Sequence, residues 1–281
     1  MAAKYARRVV IASVVTGTWL VALAGCRVGP VPPQSPGTLR VLTYNIHHGE
    51  GTDEKFDYRR LAKVIKALSA DVVALQEVDD GTERASGIDQ ATLLGRLCGM
   101  RHVFGQAMPY QGGRYGEAIL SRFPIEKAAI HPLPYQVGQE PRAALEVLIR
   151  PHGLPPLAFV GTHLCHQNNE TRIQQTRRIS ELFPQPRTEP SSQAQRGNVS
   201  LAAQRNYPVI LAGDFNARPG SEPMNVLLDA GWLDTVAPRS KIDYVLVRRC
   251  DPWRVKEVTL PNEPVASDHN PVLVVLQWQG D

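Results

Sequence analysis

Residues 71–78 read Asp71-Val72-Val73-Ala74-Leu75-Gln76-Glu77-Val78, an apolar run that ends in a carboxylate. Apolar residues at odd and even positions alike predict a strand covered on both faces, because side chains alternate along an extended chain. Glu77 is costly in that setting unless a metal ion or a hydrogen-bond donor satisfies it. It reads equally as a functional carboxylate and as an acid paired within the fold.

The pattern recurs. Leu39-Arg40-Val41-Leu42 leads to Thr43-Tyr44-Asn45 and Leu157-Ala158-Phe159-Val160 to Gly161-Thr162-His163-Leu164. Pro208-Val209-Ile210-Leu211-Ala212 leads to Gly213-Asp214-Phe215-Asn216, and two more clusters follow at Ile242-Asp243-Tyr244 and Ser267-Asp268-His269. Each residue has an ordinary reading: Asn45 as a turn former, Asp214 and Asn216 as an Asx-turn, Asp268 and His269 as a loop cap, His163 as a satisfied core donor. Each also has a chemical one. An amide oxygen at a strand end can ligate a hard cation. Asp214 and Asn216 alternate, so an extended segment carries both to one side, the acid to align a water and the amide to meet a phosphoryl oxygen. Asp243 wants a cationic partner, and a histidinium is the natural candidate. Joint occurrence favours the chemical readings, since all these groups fall where core strands end and a cleft opens, as a metal-assisted hydrolase needs.

Periodicity predicts further strands at His102–Ala107, Glu117–Ser121, Ala128–His131, Ala143–Ile149, Leu157–Leu164, Val209–Ala212, Ile242–Val247, Arg254–Thr259 and Pro271–Gln277, with Leu39–Ile46 central. Helices are predicted at Tyr58–Leu68, Asp89–Leu97, Glu170–Leu182 and Glu222–Leu228. Pro184 to Gln204, rich in Pro, Ser, Gln and Arg, reads as a surface loop. No repeat of fixed period is evident. Many strands with few helices predict an α+β protein, a four-layer α/β/β/α sandwich of two mainly antiparallel sheets flanked by helices.

The chain has 281 residues, 43% hydrophobic and 21% charged, which excludes global disorder. Residues 1–25 read as a lipoprotein signal peptide: Lys4, Arg7 and Arg8, an apolar stretch from Val9 to Ala24, then Leu23-Ala24-Gly25-Cys26. That ending resembles a lipobox, in which Cys26 is lipidated and becomes the mature N-terminus. The other reading is an uncleaved anchor. Either places the domain, 39–281, outside the cytoplasm as an exported, membrane-anchored protein, periplasmic or at the cell surface. Residues 26–38, with Pro30, Pro32, Pro33 and Pro36, form a stiff spacer. Lys4, Arg7 and Arg8 carry three of the four net positive charges, so the mature chain is nearly neutral and shows no general affinity for nucleic acid. Of the remaining cysteines, Cys98, Cys165 and Cys250, at most two can pair, and no zinc-type spacing occurs.

Seven segments, TYNIHHG at 43–49, DVVALQEV at 71–78, GEAILSRFPI at 116–125, GTHL at 161–164, GDFNARPGSEP at 213–223, IDYVLV at 242–247 and SDHNPV at 267–272, stand in the order of one known family. Over roughly residues 39–278 the chain resembles the endonuclease/exonuclease/phosphatase superfamily, which includes DNase I, abasic-site endonucleases, neutral sphingomyelinases, inositol polyphosphate 5-phosphatases and deadenylases. The resemblance implies a DNase I-like sandwich with Mg²⁺ or Mn²⁺ at one end, Glu77 as principal metal ligand, and Asn45 and Asp268 completing or supporting the site. It implies that Asp214 and Asn216 position the water and a phosphate oxygen, that His269 held by Asp243 acts as base or phosphate-contacting acid, and that His163 contacts the phosphate.

Some positions depart from the family pattern. Glu117 stands where relatives carry a small or amide residue; it either pairs with His163 or faces solvent. Tyr115 is shifted by one position from the tyrosine of the abasic endonucleases. The segment between Asp234 and Lys241 is short where relatives often shape a substrate groove. Arg84, Gln90, Arg142, His47 and His48 are candidates for the cleft wall. The expected function is divalent-metal-dependent hydrolysis of a phosphoester, a lipid headgroup, nucleotide or nucleic acid, by a monomer. The alternatives are an extracellular DNase-like endonuclease and a non-catalytic surface binding module.

Overall fold

A computed structural model describes residues 37–185 and 200–280, and its first strand, β1 (Thr38–Asn45), shows how the layers arise. Leu39 and Val41 of β1 pack into one apolar cluster, while Leu42 and Tyr44 pack into another on the opposite face. The other elements are α1 (Tyr58–Ala67), β2 (Val72–Asp80), α2 (Gln90–Cys98), β3 (Arg101–Tyr110), β4 (Gly113–Ser121), β5 (Ile125–Leu133), β6 (Arg142–Ile149) and β7 (Leu157–His163). They continue with α3 (Asn169–Leu182), α4 (Leu201–Arg205), β8 (Val209–Asp214), α5 (Glu222–Asp229), β9 (Trp232–Asp234), β10 (Asp243–Arg248), β11 (Trp253–Thr259) and β12 (Val272–Trp278).

Two six-stranded sheets result, ordered β11-β12-β1-β2-β4-β3 and β5-β6-β7-β8-β10-β9. Each holds one parallel pair, β1/β2 and β7/β8, and the other pairings are antiparallel. One apolar cluster joins the two sheets through residues such as Val41, Ile119, Phe159, Ile210 and Val245. A second packs α1 and α2 on the first sheet, and a third packs α3, α4 and α5 on the second. Three interfaces make four layers, the α+β sandwich expected from the pattern. Aligned on their parallel pairs, β12-β1-β2-β4-β3 matches β6-β7-β8-β10-β9, a correspondence invisible as a sequence repeat.

Helix starts follow local chemistry. Asp57, Asp89, Asn168 and Ser200 each accept a hydrogen bond from the backbone N–H three residues on, and Gly99 (φ 67°) ends α2 in the left-handed conformation. Boundaries moved where tertiary pairing extends a strand: β2 runs on past Glu77 to Asp80. Trp232–Asp234 is a short strand that the pattern missed, because three residues carry no periodicity. The predicted loop Pro184–Gln204 is helical from Leu201 to Arg205, where buried Glu146 accepts the N–H groups of Leu201 and Ala202 at 2.8 and 2.7 Å. Its residues 186–199, the signal segment 1–25, Cys26 and the spacer to 36 lie outside the described residues. Cys98, Cys165 and Cys250 are free thiols. Among the described residues no helix is long and apolar enough to cross a membrane.

Candidate active site

Alternation along the strands builds the site. The side of β1 that carries Leu39 and Val41 toward the second sheet continues to Thr43 and Asn45. On β7 the row Leu157, Phe159 reaches His163, on β8 the row Ile210, Ala212 reaches Asp214, and on β10 Val247 and Val245 lead back to Asp243. The polar residues thus cap the core between the sheets at one end. Asn45, His163, Asp214 and Asp243 are buried there. Register brings His163 opposite Asp214, and Asp214 opposite Asp243. A Cβ on Gly213 would stand 1.9 Å from the carbonyl oxygen of Thr162, so a glycine is needed for this close approach of β7 and β8.

Glu77 arrives differently. The pairing of β2 with β4 shifts register between Leu75 and Val78, and Glu77 has a φ of 58°. This bulge redirects its carboxylate, which strict alternation would send to the helix side, into the site. Asn216 is also left-handed, at φ 47°. The expected alternation of Asp214 and Asn216 in one extended segment therefore does not hold. Asp214 Oδ1 accepts the N–H of Asn216 at 2.9 Å in an Asx-turn, and the turn itself brings the Asn216 amide round to His163. With His47 (φ 45°) and His48 (φ 44°), four left-handed non-glycine residues gather at one site and mark conformations held by their surroundings.

The Asn45 amide nitrogen donates to Glu77 Oε1 at 2.9 Å and to Asp214 Oδ2 at 3.2 Å, and its oxygen accepts the N–H of His47 at 3.0 Å. Asn45 therefore bridges the two sheets. Ser267 Oγ donates to the carbonyl of Asn45 at 2.8 Å, which pins the Asp268-His269 loop against the end of β1.

The two histidines sit in opposite fields. His269 Nδ1 lies 3.1 Å from Asp243 Oδ2, and its Nε2 lies 3.5 Å from Asp214 Oδ2. Burial opposes its charge, but these carboxylates push its pKa up to about 9. His163 Nδ1 instead faces Arg142, whose guanidinium donates at 3.1 Å. Burial first, and then the Arg142 charge, hold His163 well below the usual histidine range, so it is neutral. Burial and the charge of Asp243 raise Asp214 above the usual carboxylate range. Burial opposes ionisation of Glu77, yet His48, 3.8 Å away, and the hydrogen bond from Asn45 outweigh it and keep the carboxylate ionised.

The groups open into a cleft of about 310 Å³ whose wall includes Glu77, His163, Asp214, Asn216, Asp268 and His269. His47, His48, Arg84, Tyr115 and Arg142 line it as well. Arg84 pairs with buried Asp79 at 2.6 Å and lies over the Tyr110 and Tyr115 rings. Gln90 does not reach the cleft. It is buried behind it, holding the Asp79 N–H and the His48 carbonyl. Glu117 neither faces solvent nor hydrogen-bonds to His163; it is 1% exposed, with Oε2 unpartnered, and burial pushes its carboxyl up to about 8. Met108, Tyr110, Glu140 and His166 also line the cleft and were not singled out in the sequence, because they sit in loops or on an outer strand without the strand-end pattern.

The donor set fits a divalent cation. Among the described residues no Lys or Arg forms an ion pair with Glu77, Asp214 or Asp268, and these carboxylates line one cleft with histidines beside Glu77 and Asp214. One donor atom from each of Asp214, Asp243 and His269 also lies within 4.8 Å of the others, a cluster that the charge of His269 already compensates. Oxygen-rich, anionic surroundings of this kind suit a hard cation.

The model of the Endonuclease/Exonuclease/phosphatase family matches residues 42–269. An uncharacterized protein of Escherichia coli, YbhP, is 26% identical over 258 residues, covering 84% of this chain and 94% of its own. An endonuclease/exonuclease/phosphatase from Beutenbergia cavernae superimposes with a TM-score of 0.65 at 24% identity, over 86% of this chain and 72% of that one. A mannosyl-6-phosphatase of Bacteroides thetaiotaomicron does so at 0.63 and 18% identity, over 85% of this chain and 100% of that one. The two structures share the fold.

Proposed function

This chain belongs to the endonuclease/exonuclease/phosphatase family and is a metal-dependent phosphoester hydrolase, and we propose that it attacks phosphorus in line with a water held by Asp214, as an exported enzyme tethered through Cys26. The observation that carries the mechanism is the place of Asp214 Oδ2, 3.2 Å from Asn45 and 3.5 Å from both His163 and His269. A phosphoryl group in the cleft meets the His269 imidazolium, the neutral His163 ring and the Asn216 amide on one side. Asp214, aligned by the Asn216 N–H, takes the proton of the attacking water, and His269, held by Asp243, donates to the phosphoryl or leaving oxygen. Glu77 and Asp268, with Asn45 beside them, would hold Mg²⁺ or Mn²⁺, which when bound supplies Lewis-acid stabilisation of phosphoryl charge.

The basic start, the apolar stretch and Cys26 support a lipid anchor. The substrate is a lipid headgroup, a nucleotide or a nucleic acid, and the near-neutral domain argues against tight duplex binding.

Wild type and His269→Ala, assayed with Mg²⁺, Mn²⁺ or EDTA on bis-p-nitrophenyl phosphate, plasmid DNA, sphingomyelin vesicles and an inositol phosphate, test this. Metal-dependent turnover lost in the variant is expected, and the preferred substrate chooses the branch. Turnover that survives EDTA, or survives loss of His269 undiminished, overturns the mechanism.

A further inference from the structure

Strand β1 joins two unlike poles. The chain enters at Gly37, whose carbonyl accepts the N–H of Trp278 at 2.8 Å, and β1 ends at Asn45 in the catalytic mouth. At about 3.3 Å per residue its 8 residues separate the poles by roughly 26 Å. The strand ends opposite the mouth are basic: Arg101 opens β3, and Arg122, Arg150 and Arg249 follow β4, β6 and β10. Of the acids at this pole, Glu126 pairs with Arg150, Asp71 lies buried near Arg122, Asp251 is buried against Arg248, and Asp229 is exposed. The loops at the mouth mix signs: Glu50, Asp53, Glu54, Asp80, Glu83 and Glu263 stand with Lys55, Arg84, Arg218, Arg239 and Lys241, and Arg60 and Arg114 pair with Asp53 and Asp80.

Two tryptophans mark the basic pole. Trp253 opens β11 and Trp278 closes β12, both half-buried, their rings 4.8 Å apart edge to face and their indole N–H groups buried without a partner. The partly exposed rings add apolar surface beside the arginines, which suit anionic headgroups.

We propose that this pole lies on an anionic lipid surface, the one that holds Cys26, so that the mouth opens away from it onto phosphoesters dissolved in the aqueous phase. The proposal rests on the anchor reading above. Whatever their conformation, residues 27–37 span at most about 40 Å. Turning the mouth to the lipid would lift Gly37 by at least the length of β1 and consume most of that reach.

The test uses the full chain, purified from cells that process it and reconstituted into phosphatidylcholine vesicles with or without phosphatidylglycerol. One p-nitrophenyl phosphodiester is offered on a short soluble alcohol and on a diacylglycerol in the same vesicles. Tethered enzyme should spare the vesicle-borne ester at least tenfold relative to the soluble one, and detergent micelles should abolish that difference. Independently of turnover, brominated phosphatidylglycerol should quench tryptophan fluorescence. Both Trp253→Phe with Trp278→Phe and the triple variant Arg101→Glu, Arg150→Glu, Arg249→Glu should lose the quenching. A retained chain that is not quenched, or that cleaves both esters alike, overturns the orientation alone. A chain with unmodified Cys26 that washes off the vesicles overturns the anchor reading and the proposal with it.

Discussion

At the ends of β1 and β2 stand Asn45 and the Gln76–Glu77 bulge; at the matching ends of β7 and β8 stand His163 and Asp214. The backbone slots correspond, yet the chemistry does not. In the second sheet the register partner itself, Asp214, enters the site. In the first, that slot holds Gln76, tied to Thr43 at 3.1 Å, and an extra residue bulged into the strand delivers the carboxylate. One half is an ionised oxygen donor suited to a cation, and the other pairs a carboxylate with imidazoles suited to moving protons. Similar topology therefore places side chains without choosing what they do.

Glu77→Gln tests the cation half and should lower kcat/KM by about a thousandfold, with part of the loss recovered by excess Mn²⁺. Asp214→Asn tests the proton half and should lower kcat by about a hundredfold or more, with no recovery by metal. A metal titration of both variants decides; rescue of Asp214→Asn would erase the division. Arg142→Met should let His163 take a proton, since the guanidinium at its Nδ1 helps to keep it neutral. About a tenfold fall in kcat/KM on the acid side of neutrality is expected, with a new ionisation in the pH–rate profile. An unchanged acid limb would show that burial alone controls His163.

The smallest effect is on stability. Glu117 carries a folded-state pKa of about 8 against 4.5 for the free side chain. Below 4.5 it is protonated in both states and imposes no pH dependence. Between 4.5 and about 8 the unfolded chain ionises while the folded one does not, so stability falls as pH rises, then levels off. Glu117→Gln should remove this slope, by up to a few kcal/mol. Tm measured across that window checks it, and parallel curves for both proteins would refute a neutral Glu117.

Much of this site is legible in the chain because strand periodicity is local. A side chain two residues beyond a core position faces the core, so Asn45, His163, Asp214 and Asp243 could be assigned to one end of a sandwich from their neighbours alone. The family resemblance extended this to Asp268 and His269. The failures share a cause. Gln90 is as polar as the true wall residues, and only the docking of α2 hides it. Tyr110 and His166 lie away from the pattern and reach the cleft through tertiary placement.

Layer order, strand-end chemistry and helix caps were determined by the sequence itself, since alternation and capping depend on residues a few positions apart. Only the tertiary structure decided that Glu77 turns inward on a bulge, that Asn216 arrives through a left-handed turn, and that Arg142 rather than Glu117 meets His163. It also decided the meeting of Asn45 with Asp214, 169 residues apart along the chain. Those outcomes depend on pairing register and on which charges burial forces together, and neither is set by local sequence.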